Sequence, residues 1–222
     1  MFQPIELNVF EERTGISSAT DHVSWQSAAK IVSFRDIVSV SSIQVMPEEY
    51  LRKLLRNTTL VGCDGERIYK NCDISRARVD PHNLLVGQTF VEKEKIGKML
   101  ENLSKAFEGF CVNHGFAKSI PFVVLGKLSD GSFAIAHYIP PIVEQHNGGL
   151  CLLDGVHRNF LIGAVGTTIE AIILKNISAP FPCDVKAWSS LRLVDKKPPK
   201  EERFYNLQTD LFRDLKWVGI DG

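Results

Sequence analysis

Residues 150–175 read LCLLDGVHRNFLIGAVGTTIEAIILK, and this stretch determines the expected fold. The apolar residues 150–153 predict a strand, residues 156–165 predict a helix that Gly166 ends, and the isoleucine-rich residues 168–175 predict a second strand. Asp154 and Gly155 form the turn between the first strand and the helix. We therefore expect an α+β fold with a small mixed sheet, in which a helix begins directly after a strand.

The residues at this helix start have the chemistry of an anion site. The first backbone N–H groups of a helix lack intrahelical acceptors, so they attract phosphate. His157 and Arg158 add donors there, and Asp154 is able to hold a divalent cation or to polarise a hydroxyl group. Each residue also has a structural interpretation: Asp154 as a helix cap, Arg158 in a surface ion pair, and His157 as a polar residue of the first turn.

The same residues resemble a known superfamily. Residues 152–166 (LLDGVHRNFLIGAVG), followed by TIEAIIL, are similar to the signature region of the ParB N-terminal/sulfiredoxin superfamily, and residues 79–88 (VDPHNLLVGQ) and 120–125 (IPFVVL) are similar to its upstream order. The resemblance covers residues 79–177 and implies a ParB/sulfiredoxin-like core that binds a nucleotide phosphate. The implied phosphate-binding residues are Gly155, Val156, His157, Arg158 and Asn159.

Departures from the family pattern narrow the expected chemistry. Sulfiredoxins carry a catalytic cysteine where this chain has Val156, and ParB proteins carry several arginines where this chain has only Arg158 between Asp154 and Gly166. The remaining resemblance is to the free serine kinase branch, with its D-G-x-H-R motif. That branch implies a phosphotransferase that uses ATP or ADP with Mg²⁺ on a small hydroxyl metabolite.

The implied catalytic residues are Asp154, His157 and a glutamate that follows the first strand. Glu92 is the candidate, with Glu94 as an alternative in the same segment. Both glutamates also fit a purely structural role, because acidic residues are favoured in the first turn of a helix.

Charge and composition bear on the competing functions. Lys plus Arg and Asp plus Glu both number 26, so no basic excess favours a ParB-like DNA-binding protein or nuclease, which is the first alternative. A non-catalytic nucleotide sensor is the second. The five cysteines include no C-x-x-C pair, so we expect neither a disulfide framework nor a zinc ribbon, and we assign Cys111 and His114 to packing. Short apolar runs and an acidic start predict a soluble cytoplasmic protein without membrane contact.

The chain divides into three expected segments: an N-terminal extension (1–78), the nucleotide-binding core (79–178) and a helical C-terminal tail (179–222). Apolar residues at three- and four-residue steps predict a long helix from residue 92 to Gly115. Pro47, followed by Glu48 and Glu49, predicts a helix from residue 47 to Asn57. Residues 121–127 and 133–139 predict a hairpin around Asp130-Gly131. Residues 140–149 predict a flexible loop, which is either a lid over the site or a solvated connection. Residues 184–194 and 200–216 predict two helices.

Overall fold

The computed structural model describes residues 2–18, 21, 23–25, 27–98 and 120–221. Its complete α-helices are α1 (Leu7–Thr14), α2 (Glu48–Arg56) and α3 (Val156–Ala164). The strands are β1 (Ile5–Glu6), β2 (Lys30–Ile31), β3 (Ser39–Val45), β4 (Thr59–Leu60), β5 (Cys63–Arg67), β6 (Asp73–Val79), β7 (Leu85–Val86), β8 (Phe90–Glu92), β9 (Phe122–Lys127), β10 (Phe133–Tyr138), β11 (Ile142–His146), β12 (Gly149–Asp154), β13 (Ile169–Lys175), β14 (Lys186–Ala187), β15 (Arg192–Val194) and β16 (Arg213–Asp214). The expected α+β class is confirmed, as several small sheets with few helices.

Contacts divide the chain into two compact units that each combine distant segments. The first consists of Met1–Lys70, Ile120–Ile139 and Arg213–Gly222, and the second of Asn71–Ser119 and Pro140–Phe212. These boundaries do not coincide with residues 78 and 178, because strand pairing joins segments that the sequence separates.

The first unit contains a five-stranded sheet in the order β1-β2-β10-β9-β3 and a three-stranded sheet in the order β16-β4-β5. Helix α2 begins after Pro47, with Glu48 and Glu49 in its first turn, as the sequence predicts. Its buried residues are Tyr50, Leu51, Leu54 and Leu55. This apolar stripe is the main contribution of α2 to the core, because burying each large side chain stabilises the fold by about 1.5 to 3 kcal/mol.

The hairpin expected in the first unit is confirmed. Strands β9 and β10 pair antiparallel, from Phe133 opposite Lys127 to Tyr138 opposite Phe122. Gly131 adopts a φ of +82°, and the Asp130 carboxylate accepts hydrogen bonds from the backbone and hydroxyl of Ser132. The Asp-Gly step thus forms the tight turn by the mechanism that its sequence predicts.

The second unit is built on a mixed six-stranded sheet in the order β14-β7-β12-β11-β13-β6. Strands β11 and β12 form an antiparallel pair, while β13 runs parallel to β11 and β7 runs parallel to β12. A separate two-stranded sheet pairs β8 with β15 in parallel. The strand, turn, helix and strand order of residues 150–175 is confirmed as β12, α3 and β13.

Helix α3 packs into the apolar core of the second unit. Its Val156 and Ile162 belong to one buried cluster with Val143 of β11, Leu152 of β12 and Ile173 of β13. These strand residues alternate with residues that point to the other side of the sheet, so one sheet face receives the helix. The core therefore holds the start of α3 in a defined position at the end of β12.

The prediction of two helices in the C-terminal tail is wrong. Residues 184–216 contain the 3₁₀ turns Trp188–Ser190, Lys200–Glu202 and Thr209–Leu211 and short strands instead. Their backbone groups bond to distant segments: the Tyr205 N–H donates to the Gly87 carbonyl, and the Thr89 N–H donates to the Arg203 carbonyl. Long-range backbone pairing replaces the local i to i−4 bonds, so helical spacing of apolar residues was misleading.

The prediction of a flexible loop or lid at residues 140–149 is also wrong. Residues 142–146 form strand β11 in the middle of the sheet, and only Asn147 and Gly148 remain as its turn. Glu144 is fully buried and accepts a hydrogen bond from the His146 Nε2, at 2.7 Å. A central strand bonded on both sides cannot reposition as a loop does, so these residues form part of the sheet.

The long helix is described only at its beginning. Residues 93–98 are helical, and Ile96 packs against the core cluster of the second unit. The rest of the predicted apolar stripe, together with Gly115, Cys111 and His114, lies outside the described residues. Within the ranges that are described, no helix is long and apolar enough to cross a membrane.

A buried histidine connects three segments of the first unit. The Nδ1 of His137 donates to the Gly219 carbonyl at 3.1 Å, and its Nε2 accepts from the Tyr50 hydroxyl at 2.7 Å. Burial lowers the pKa of His137 to about 4, against the weaker opposing effect of the Gly219 carbonyl, and burial raises the pKa of Tyr50. Both groups are therefore neutral in the folded protein at pH 7.

We expect His137 to destabilise the protein as the pH falls from 6.5 to 4. The unfolded chain protonates this side chain near pH 6.5, while the folded protein does so only near pH 4, so stability is fully present above pH 6.5 and lost below it. The loss amounts to about 3 kcal/mol. Urea unfolding across this pH range measures it.

Two variants separate the effect of His137 from other titrations. His137→Gln removes the proton site, so its free energy of unfolding should change less with pH than that of the wild type. Tyr50→Phe loses one hydrogen bond, at about 1 kcal/mol, but should keep the pH dependence. An unchanged pH slope in His137→Gln would show that the buried ring does not titrate as described.

Candidate functional site

The candidate site is the turn that joins β12 to α3. Gly155 is the N-cap residue, with φ of +93° and ψ of 22°, and no side chain caps the helix. The first intrahelical bond runs from the Asn159 N–H to the Gly155 carbonyl, at 2.9 Å. The amides of Val156, His157 and Arg158 precede this bond and have no acceptor within the helix. Asp154 is therefore not the cap of the helix, and the amides that the sequence interpretation assigns to a phosphate lie in the first turn of α3.

Gly155 is required by both conformation and space. Its positive φ lies in the left-handed region that residues with a side chain rarely adopt. A Cβ atom built on Gly155 would lie 2.8 Å from the Cβ of Pro141, closer than atoms normally approach. The chain therefore passes tightly over Pro141 at the point where the helix begins.

Asp154 and Arg158 form an ion pair across the first turn. The Asp154 Oδ2 lies 3.1 Å from the Arg158 Nη2, and the two side chains are 12% and 16% exposed. The spacing of four residues places both groups on one face of the helix start. Arginine carries five N–H donors in a planar fork, and the contact with Asp154 orients the Arg158 guanidinium at the helix start. The ion pair expected for Arg158 is therefore confirmed, with Asp154 as its partner, and a role of Arg158 in phosphate binding stays a prediction.

His157 is buried and neutral. Its Nε2 accepts a hydrogen bond from the Glu92 N–H at 3.2 Å, so the single proton of the neutral ring lies on Nδ1. Burial, together with the smaller effects of the charges of Lys95 and Lys197, lowers the pKa of His157 to about 3. His157 is therefore not a cation at pH 7, and any hydrogen bond that it donates comes from Nδ1.

The predicted catalytic residues lie around one helix turn. Glu92 is the last residue of β8, and its backbone N–H donates to His157. The next residue after His157 is Arg158, which forms the ion pair with Asp154. Glu94 instead pairs with Lys98 one helical turn later. The structure therefore brings Glu92 to the neighbourhood of the turn, and its catalytic role stays a prediction.

Asn159 supports the turn from inside the protein. Its side chain is fully buried, and its Nδ2 donates to the Gly155 carbonyl at 3.0 Å. Its Oδ1 has no hydrogen-bond partner within the described chain. This placement fits a positioning role for Asn159, while direct contact of its side chain with a phosphate stays a prediction.

Sequence reasoning missed two cations near the turn. Lys95 is half-buried in the helical residues 93–98, and Lys197 is exposed after β15. The charges of both lysines lower the pKa of His157, after the larger effect of burial. The Lys196-Lys197-Pro198-Pro199 stretch looks like a spacer in the sequence, and no local pattern connects it to residue 157.

Other reactive groups of the second unit do not extend the site. Burial raises the pKa of the Cys151 thiol to about 11, with a further contribution from the charge of Glu144, so this thiol stays protonated at pH 7. Protonated thiols are poor nucleophiles, consistent with the expectation that no cysteine takes part. Across the part of the chain that the structure describes, no three acidic, histidine or cysteine residues form a metal cluster.

We expect Gly155→Ala to destabilise the protein by roughly 2 to 4 kcal/mol, because it combines left-handed strain with overlap against Pro141. Gly166→Ala is the matched control: its φ of +70° is also left-handed, but no atom lies within 4 Å of the place that its Cβ would occupy. The Gly166→Ala variant should lose only about 1 kcal/mol of its free energy of unfolding. Urea unfolding of the three proteins compares them, and equal losses would show that Pro141 does not restrict the turn.

Comparison of the chain with protein-family models, curated proteins and solved structures gave no match. The ParB/sulfiredoxin resemblance of residues 79–177 therefore stays a prediction from the motif.

Proposed function

We propose that the protein binds the phosphate group of a nucleotide, ATP or ADP, at residues 155–158 and transfers a phosphoryl group to a small hydroxyl metabolite. The observation that carries the proposal is the uncapped start of α3, where an oriented arginine lies beside backbone amides without helical acceptors. Such a helix start combines several N–H donors with the positive end of the helix dipole. It is suited to a phosphate group more than to a neutral ligand.

Three parts of the site hold the phosphate in this proposal. The amides of Val156, His157 and Arg158 surround one phosphate group from the helix side. The Arg158 guanidinium adds a charged fork that matches two phosphate oxygens. The neutral His157 adds at most one donor, its Nδ1–H, while its Nε2 stays bonded to the Glu92 backbone.

Two carboxylates supply the transfer chemistry. The acceptor hydroxyl oxygen attacks the terminal phosphorus, its proton passes to the Glu92 carboxylate, and the bond from phosphorus to the bridging oxygen breaks with the electron pair on the leaving nucleotide. Asp154 would hold Mg²⁺, which neutralises phosphate charge when bound and usually takes one or two protein carboxylates together with phosphate oxygens. The ion pair with Arg158 keeps Asp154 next to the phosphate site.

A nucleotide sensor without turnover is the second candidate function. The engagement of Asp154 by Arg158 favours it, because a carboxylate already paired with a cation is less available to a metal ion. Phosphate binding at the turn is common to both functions. Turnover distinguishes them.

We expect Arg158→Ala to weaken the binding of orthophosphate, ADP and ATP by about 1.5 to 3 kcal/mol, at least tenfold, because a charged hydrogen bond to phosphate is lost. Isothermal titration and thermal shift, with and without Mg²⁺, measure this change. The matched control is Arg76→Ala, since Arg76 pairs with Glu170 on the edge strand β6. Unchanged affinity in Arg158→Ala, or equal losses in both variants, would contradict the assigned site.

We expect Glu92→Gln to reduce turnover by about 10² to 10⁴, the usual contribution of a general base, while nucleotide affinity changes little. Glu94→Gln is the matched control because Glu94 belongs to the same segment but pairs with Lys98. Nucleotide consumption with free serine as the first acceptor measures turnover. Binding without turnover in the wild type supports the sensor, and equal effects of the two variants would remove Glu92 from the mechanism.

A further inference from the structure

The sheet of the second unit carries a cavity on the face that also receives helix α3. Val156 and Ile162 of α3 share a buried cluster with Ile173 of β13. Ile173 also lines a cavity of about 400 Å³, whose described lining comes from β6, β11, β12 and β13. Every described residue of this lining belongs to the second unit. The cavity thus lies on the sheet face that α3 covers only in part.

The floor of the cavity is apolar. Ile173 of β13 and Val79 of β6 are 4% and 7% exposed, and Leu150 of β12 is half-buried. Ser75 lies opposite Ile173 in the pairing of β6 with β13, and Ala77 follows two residues later on the same face. These small side chains on the edge strand leave space beside the larger apolar ones. A cavity of this volume with an apolar lining and a few polar groups is typical of a small-molecule site.

Three hydrogen-bond donors line one end of this floor. The parallel pairing of β11 with β13 runs to Glu144 and Leu174. Gln145 and Lys175 are the next residues of the two strands, so they lie side by side at the end of the pair. Ser75 lines the same cavity from β6. An ammonium group, an amide and a hydroxyl group are therefore available to one acceptor group beside the apolar floor.

The charge of the cavity is positive. Lys175 and Arg78 line it, and its described lining includes no carboxylate. Across the residues that the structure describes, neither cation makes an ion pair or a side-chain hydrogen bond. Asp73, which lies opposite Lys175 in the sheet, accepts a hydrogen bond from the Asn176 side chain at 2.7 Å. A ligand that supplies a negative charge and covers apolar surface complements this lining.

We propose that this cavity binds a small carboxylate with an apolar body, such as an arylalkanoate. The carboxylate accepts hydrogen bonds from Lys175, Gln145 and Ser75, and the apolar body lies along Ala77 and Ile173. A neutral ligand would leave the Lys175 charge without a partner. A cationic ligand would be repelled by a like charge.

The cavity is separate from the α3 turn. Leu150 lies near the beginning of β12 and Asp154 at its end, so about 13 Å of extended strand separates the cavity from the turn. The inference therefore goes beyond the proposed phosphate site and does not depend on it.

The test titrates the protein with 4-phenylbutyrate, 4-phenylbutanol and 4-phenylbutylamine, which share one apolar body and differ in charge. Isothermal titration at about 0.15 M salt, with ligand-detected NMR for the weaker compounds, measures the affinities while distant surface charges are screened. We expect 4-phenylbutyrate to bind about tenfold more tightly than either other compound, because only the anion gains charged hydrogen bonds. Equal affinity for the butyrate and the alcohol, or no binding of the butyrate, would overturn the proposal.

Lys175→Gln tests the carboxylate contact. It should weaken 4-phenylbutyrate binding about tenfold and leave 4-phenylbutanol binding within about twofold of the wild type. Arg76→Gln is the matched control, because Arg76 lies on β6 between Ser75 and Ala77 but pairs with Glu170 and is not among the lining residues. Equal losses in the two variants would assign the effect to general surface charge and overturn the site.

Ala77→Leu tests the apolar part of the cavity. Ala77 is exposed, so the larger side chain occupies the cavity without displacing the core. It should weaken the binding of 4-phenylbutyrate and 4-phenylbutanol alike, while Ala77→Ser, which adds little volume, should not. Thermal unfolding of each variant checks the fold. Unchanged 4-phenylbutyrate affinity in Ala77→Leu contradicts the assigned cavity, and loss of that affinity in Arg158→Ala would place the ligand at the α3 turn instead.

Discussion

The left-handed backbone at Gly155 is the constraint on which the second unit depends. The chain leaves β12, reverses over Pro141 with no room for a side chain, and enters α3 within one residue. The same turn directs Val156 and Ile162 into the apolar cluster of the sheet and leaves the first amides of the helix uncapped. The packing of α3 and the uncapped amides at its start therefore have one geometric origin, and a longer turn would separate them.

Burial of His157 connects this helix to a distant part of the chain. A neutral imidazole is able to accept the Glu92 N–H, whereas a protonated one cannot, so the contact between α3 and β8 requires the uncharged ring. Removal of the ring from water and the neighbouring lysines both favour that state. A histidine that the motif assigns to a phosphate thus holds the end of β8, at Glu92, against the start of α3.

The errors of prediction in the second unit share a physical cause. Residues 140–149 carry loop-forming prolines and glycines, and residues 184–216 carry apolar side chains at helical spacing, yet both segments pair with strands or loops far away in the chain. Local propensities amount to less than about 1 kcal/mol per residue, and each is outweighed when a backbone group finds a partner in the sheet. Glu144 shows the result: a polar residue typical of a loop is fully buried in β11.

The sequence by itself determined the elements whose signals are local. Asp130-Gly131 predicted the hairpin, Pro47 with two glutamates predicted the start of α2, and Asp154-Gly155 before an apolar helix predicted the candidate site. Left-handed glycines, helix caps and short turns depend on neighbouring residues alone, so they are predictable from the sequence without a structure. Tertiary structure decided the rest. The contact of the Glu92 backbone with His157 and the parallel pairing of β8 with β15 join segments far apart in the chain, and no local pattern specifies which distant strands pair.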